Sequence, residues 1–166
     1  MVMTNRSPLH SISMDTPVGT LTLVAGAAGL VRVLWPGESP HPDAEPGTTG
    51  VLRRAAEEIT AYFGGTLTAF SVPLDLAGTP FQLMAWRALA TIPYGTTVSY
   101  TVQARRIGCP RAVRAIGAAN ARNPVPIVLP CHRVVGANGD LTGFGGGLPV
   151  KRALMEHEAV VLNLGG

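Results

Sequence analysis

Polar and apolar residues alternate through much of the first third of the chain. Thr20-Leu21-Thr22-Leu23-Val24 and Leu30-Val31-Arg32-Val33-Leu34 follow the period of two that puts successive side chains on opposite faces of a strand. Thr16-Pro17-Val18-Gly19 and Gly26 to Gly29 carry turn composition between them, so Ser11 to Val33 predicts a meander or hairpin set, with residues 1–10 frayed. Gly37 to Gly50 is rich in Pro, Gly, Asp and Glu and predicts a loop. The period then changes. Val51, Leu52, Ala55, Ile59, Tyr62 and Phe63 recur at three-to-four spacing, with Arg53, Arg54, Glu57 and Glu58 off that stripe, which predicts a helix. Thr48 or Thr49 could cap its start, and Gly64-Gly65 stops it. Phe70 to Leu76 alternates again, and Pro73 limits it to an edge strand.

After Leu76 the pattern is mainly helical. Thr79-Pro80 is a start signal, and Phe81 to Ile92 places Phe81, Met84, Ala85, Ala88, Leu89 and Ile92 on one face. Ser99 caps a short helix to Arg106, Gly108 closes it, and Pro110 opens another from Arg111 to about Ala121. That is helix-turn-helix spacing. Ala115, Gly117, Ala118 and Ala119 make the second helix slim enough for close backbone approach to a groove wall or another helix. Asn123-Pro124 ends it. The apolar run Val125 to Leu129 predicts a buried extended segment, Gly136 to Asp140 a turn, Thr142 to Gly147 a flexible loop, and Val150 to about Ala159 a last helix. The expected fold is a small α+β domain over 1–76, an antiparallel sheet plus a helix, followed by a mainly α domain over 77–166 with a helix-turn-helix.

Charge changes this picture. Residues 76–139 hold seven Arg and neither Asp nor Glu, inside a chain of net charge +3. Such a segment makes a local positive field, whose commonest partner is a phosphate backbone. Five of those Arg (105, 106, 111, 114 and 122) lie on or beside the paired helices, so DNA binding is preferred over a merely solvated basic face. No apolar run approaches the roughly 20 residues a membrane helix needs. Met1 to His10 lacks the charged-then-apolar order of a signal peptide, and the chain has only two cysteines, Cys109 and Cys131. A reducing cytoplasm is expected, with no disulfide scaffold. Neither cysteine has zinc-ligand spacing, and His10 and His41 fall in surface segments.

The chemistry concentrates in Pro130-Cys131-His132-Arg133-Val134. A thiol becomes a strong nucleophile when a base removes its proton. Neighbouring side chains often diverge, however, so the pair alone reads better as a buried structural cysteine. Glu158 alone reads as a carboxylate on a helix surface.

Taken in order, Asn123-Pro124, Pro130 to Val134, Gly143-Phe144-Gly145-Gly146-Gly147 and His157-Glu158 closely resemble the O6-alkylguanine-DNA alkyltransferases, the methylated-DNA–protein-cysteine methyltransferases. The match runs from about Thr79 to Glu158; the first domain fits less specifically. The resemblance implies that Cys131 accepts the alkyl group, that His132 removes its proton through a water, and that Glu158 orients His132. It implies a hinge role for Asn123, with its side chain bonded to turn backbone. The second helix would enter the minor groove, with Arg114 filling the gap left by a flipped nucleotide. Tyr100, with Ser99 beside it, would contact the target phosphate and base. The backbone of Cys131 and Val134 would accept from the guanine amine, and the Gly145 N–H would meet O6. Arg133 would make structural bonds.

The implied function is single-turnover repair of O6-alkylguanine, and of O4-alkylthymine, in duplex DNA, by a cytoplasmic monomer needing no cofactor and no metal and no membrane. Cooperativity along DNA stays open. Phe144 and Gly145 replace more polar residues of some relatives, and Asn120 a bulky apolar one. These changes bear on the size of O6 group accepted. Two other functions compete: a non-enzymatic alkylguanine-binding or regulatory DNA-binding module, which would lack the active cysteine, and a Cys-His-Glu hydrolase, which would leave the Arg-rich helix unexplained.

Overall fold

The computed structural model describes residues 7–165. Three antiparallel strands, β1 (Leu9–Thr16), β2 (Gly19–Gly26) and β3 (Gly29–Leu34), form the expected meander. β1 starts inside the stretch read as frayed; residues 1–6 of that stretch lie outside the described residues. The antiparallel expectation needs one correction. Within the loop read at 37–50, Ala44–Pro46 forms a short β4 that pairs parallel to β1, giving the order β3-β2-β1-β4. The chain leaves one edge of the sheet and returns along the other in the direction of β1.

Helix α1 (Gly50–Phe63) begins where Thr49 accepts from Leu52 N and packs Leu52, Ala55, Ile59 and Tyr62 inward. Glu58 departs from the polar face assigned to it: it is buried and accepts from the backbone N–H of Ser71 and Val72 at 2.8 and 3.0 Å. That explains why the expected edge strand at 70–76 shrinks to a single bridge, Leu30 with Leu74. A side chain on α1 takes two of its donors, and Pro73 has none to offer.

The second half opens with α2 (Pro80–Leu89), capped by a reciprocal Thr79–Gln82 capping box with Pro80 in the first turn. A two-stranded parallel pair, β5 (Val98–Ser99) with β6 (Val134–Val135), brings the start of α3 (Tyr100–Arg106) beside the Cys-His segment. α4 (Val113–Ala121) starts two residues later than Arg111, after a turn closed by Ala112 N to Cys109 O. α5 (Leu148–Gly165) runs past the expected end near Ala159.

The helix-turn-helix is pinned from beneath. Trp86 Nε1 donates to Ala119 O at 2.8 Å, and Gln103 donates to Ala85 O at 3.1 Å while exchanging two hydrogen bonds with Asn120. Small buried residues, Ala85, Ala104 and Ala119 around Ile116, let the three helices approach closely. The larger core is continuous across the two halves. Leu21, Leu23, Leu30 and Val33 of the sheet and Ile59 and Tyr62 of α1 join Trp86, Leu89, Ile127, Val134 and Leu154 in one buried cluster. Among the described residues, no helix is long and apolar enough to cross a membrane.

Candidate active site

The apolar run before Cys131 is buried, as expected, but it is not extended. Val125 to Leu129 folds into a tight turn closed by Leu129 N to Val125 O at 2.9 Å, with Ile127 at φ 74°. A positive φ is costly for a β-branched residue, roughly 1–3 kcal/mol, and persists only where its surroundings over-determine it. Asn123 supplies that constraint. Its Nδ2 donates to Leu129 O at 2.8 Å and its Oδ1 accepts from Val125 N at 3.0 Å, across the base of the turn. The chain then enters a 3₁₀ turn, Cys131–Arg133, so that Cys131, His132 and Arg133 are all buried.

Glu158 reaches this turn from α5, where Lys151, Leu154 and Glu158 form one buried stripe at i, i+3 and i+7. Its carboxylate accepts from His132 Nε2 at 2.6 Å, Arg133 Nε at 2.8 Å, Arg133 Nη2 at 3.1 Å, Tyr62 Oη at 2.7 Å and Gly95 N at 2.9 Å. Burial would raise its pKa, but the hydrogen bonds and charges of His132 and Arg133 outweigh that and hold the carboxyl well below the usual range. An ionised carboxylate only accepts, so the proton between them sits on His132 Nε2. Burial also holds His132 below the ordinary imidazole value, against the opposing pull of Glu158. The ring is therefore neutral near pH 7 and its Nδ1 carries the free lone pair. That atom is buried and has no hydrogen-bond partner among the described residues.

Cys131 has the opposite shift. Burial pushes its thiol up to about 11, only partly countered by the Asn123 side chain and the charge of Lys151. At pH 7 that leaves on the order of one thiolate in ten thousand molecules. A base acting on the thiol would therefore help it attack. Chemically, the arrangement could serve as a nucleophile followed by a base, with a buried carboxylate behind the base.

Cys131 opens onto a cleft of about 340 Å³ whose walls include Asn123, Pro126, Phe144 and Gly145 from the second half and Arg32 and Trp35 from the first. Trp35 meets Phe144 edge-on at 5.4 Å, and a Cβ at Gly146 would stand 2.9 Å from the Trp35 ring. Only glycine lets the 142–147 loop lie that close to the indole. At the loop's start, Tyr100 Oη accepts from Thr142 Oγ1 at 3.0 Å, and the buried Lys151 donates to Thr142 O at 2.9 Å.

The other sequence-chosen residues fall as follows. Ser99 Oγ is the N-cap of α3, accepting from Val102 N at 3.2 Å. Val134 is fully buried, with its backbone in the β5–β6 pair. Gly145 is exposed at the cleft. Arg114 is exposed near the start of α4, on a face it shares with the small Ala115 and Ala118. Asn120 has only its edge at the cleft, because its amide is buried against Gln103. Among the described residues, no group of three or more His, Cys, Asp or Glu side chains is placed to hold a metal.

Sequence reasoning missed Tyr62, Gly95 and Lys151; Arg133 makes internal bonds, to Glu158 and to Ile92 O. The 151, 154 and 158 spacing was the available signal for Lys151; nothing in residue type pointed to the other two.

Residues 80–160 match the DNA-binding domain of 6-O-methylguanine DNA methyltransferase, and residues 9–76 match its ribonuclease-like domain. The chain belongs to the 6-O-methylguanine DNA methyltransferase family. Within that family it is 47% identical over 152 residues to the methylated-DNA–protein-cysteine methyltransferase of Mycobacterium bovis, an alignment covering 90% of this chain and 92% of that one. The corresponding protein of Methanosarcina acetivorans is 43% identical over 147 residues, covering 87% and 94%. The crystal structure of Mycobacterium tuberculosis OGT in complex with DNA has the same methyltransferase fold: its TM-score is 0.85 at 47% identity, covering 92% of this chain and 94% of that one.

Proposed function

We propose that this chain repairs DNA directly, taking the alkyl group from O6 of a flipped guanine in duplex DNA onto Cys131, once per molecule. The observation that carries this reading is the buried Cys131 opening onto a cleft, followed in the chain by a neutral histidine whose Nε2 is engaged by Glu158 and whose Nδ1 is free. His132 takes the thiol proton, directly or through one water. The Cys131 sulfur forms a bond to the alkyl carbon as the bond from that carbon to O6 breaks. The electron pair passes into the guanine ring, and a proton delivered to the ring, with Tyr100 assisting, completes a neutral leaving base. The product is a thioether, and no residue in the cleft has a means to remove the alkyl group. O4-alkylthymine presents the same leaving-group chemistry.

The relative solved in complex with DNA supports duplex DNA as the partner. The exposed, slim face of α4 fits a narrow groove, with Arg114 entering the stack where the target base has left it. Asn123 holds the strained turn that links α4 to Cys131. Ser99 sets the start of α3 and so the placement of Tyr100; the Cys131 and Val134 backbone and the Gly145 N–H read the guanine edge. In this reading residues 77–166 bind and react, residues 1–76 support them, and the protein works as a cytoplasmic monomer with neither cofactor nor metal.

The test is stoichiometry. Lesion loss from duplex carrying one O6-methylguanine should saturate at one lesion per protein molecule; continued loss beyond that ratio would contradict single use. The finger assignment is tested by Arg114→Ala. Reaction with the free base O6-benzylguanine should be nearly unchanged, while repair of duplex falls at least tenfold, because only the duplex must be kept open. Equal losses on both substrates would remove that role.

A further inference from the structure

We infer that Tyr62, on α1 of the first half, is a positioning residue for the transfer step, acting through Glu158 on His132; this rests on the roles proposed above for Cys131 and His132. The first half of the chain would then help set the chemistry as well as support the fold.

The geometry is specific. Tyr62 is fully buried, and its hydroxyl donates at 2.7 Å to Glu158 Oε2, the same oxygen that lies 2.6 Å from His132 Nε2. Among the described residues, it is the one donor to Glu158 that comes from the first half; Gly95, His132 and Arg133 belong to the second. The tyrosine cannot swing away. Its ring packs against Phe63, Phe70, Tyr94 and His157 with centroids 5.1 to 6.0 Å apart, and His157 Nε2 lies 2.8 Å from the Tyr62 carbonyl. Burial and the charge of Glu158 raise the Tyr62 pKa, so the hydroxyl stays protonated and donates throughout the working range.

Two consequences follow from a shared acceptor oxygen. Tyr62 fixes Oε2 in space, and with it the tilt of the imidazole that must present Nδ1 to the thiol. Tyr62 also draws charge from Oε2. Without its hydroxyl, that oxygen faces the imidazole with more negative charge, which stabilises the protonated ring and moves its titration to higher pH. The other ionisable groups facing the pair are Arg133 and Cys131 on the 3₁₀ turn, Lys151 and His157 on α5, and Tyr94 before β5. Arg133 Nη2 shares the same Oε2 at 3.1 Å, and every one of these groups is still present when the Tyr62 oxygen is removed.

The experiment is the single-turnover transfer rate to duplex carrying O6-methylguanine, measured against pH for wild type, Tyr62→Phe and Tyr94→Phe, with a thermal unfolding midpoint for each. Tyr94 is the control: its hydroxyl is also buried but has no hydrogen-bond partner among the described residues, so its removal tests the loss of a buried oxygen. Tyr62→Phe should lose about tenfold in rate at neutral pH, in the range found when outer-shell partners of a reacting group are removed. Its acid limb should move to higher pH, while Tyr94→Phe keeps the wild-type rate and limb. A Tyr62→Phe profile identical to wild type would overturn the inference. So would an equal displacement in both variants, since that would be a general packing effect. Wild type that transfers nothing would instead overturn the reading of Cys131 itself, which separates the two failures.

Discussion

Cys131→Ala is expected to abolish alkyl transfer and to leave binding to lesion-bearing duplex in place. The expectation follows from where the two jobs sit. The contacts proposed for DNA lie on α4 and its neighbours, where Arg114 and Ala118 are exposed, whereas the Cys131 thiol is buried at the floor of the cleft. Removing one sulfur atom takes away the proposed nucleophile and almost none of the surface proposed to meet the backbone. The cost in stability should stay near 1 kcal/mol, because a small side chain is lost from a site already bordered by the cleft. Labelled lesion duplex measures both properties: no label moves to protein, and the dissociation constant stays within a few-fold of wild type. Label transferred to the variant would remove Cys131 from its role.

Glu158→Gln is the second large effect, and it reaches stability as well as rate. The carboxylate satisfies five donors, two of them from the buried Arg133 guanidinium. A glutamine cannot neutralise Arg133 and turns an NH2 towards groups that also donate. Leaving a buried charge unpaired costs roughly 3–5 kcal/mol. The transfer rate should fall by roughly 10³–10⁴, as in triads whose third carboxylate becomes an amide and no longer holds the histidine in the right tautomer. Urea unfolding and single-turnover kinetics check the two parts.

The pH dependence has a definite sign. A carboxylate whose pKa is depressed in the folded state contributes stability that is present above its unfolded pKa and lost as pH falls through the folded value. Wild type should therefore hold the full Glu158 contribution only down to about the unfolded carboxyl pKa and lose it progressively as pH falls from there towards the depressed folded value. The Gln variant, with nothing there to titrate, should show a flatter stability curve at the acid end.

Local rules made much of the fold legible. Thr49, Thr79-Pro80 and Ser99 start their helices where capping chemistry places them, and the turns at Pro17 and Gly26–Gly29 separate strands whose alternation is plain. What escaped was decided by tertiary partners. Glu58 looks like a surface residue on α1, yet it takes the donors of residues 71 and 72 and keeps that segment out of the sheet. The apolar run 125–129 reads as a buried extended segment, because burial shows in composition and a turn held by a distant side chain does not; Asn123, six residues before Leu129, holds it as a turn.

The candidate site divides along the same line. Cys131 and His132 are adjacent in sequence and needed only the resemblance to raise them above a structural cysteine. Glu158 was reached through that resemblance. Tyr62 carries no local mark of its part, because a tyrosine on the inner stripe of an amphipathic helix looks like core. It is core in every respect except its hydroxyl, which points at a carboxylate 96 residues away in the chain.

Intact mass before and after mixing with duplex DNA carrying one O6-methylguanine, followed by peptide mapping, tests the central claim most directly. The account predicts a gain of one methyl group per protein molecule, on the peptide that contains Cys131, with no further gain when lesion is in excess. An unchanged mass accompanied by tight binding to the lesion would contradict it and would leave a lesion-binding protein that does not react.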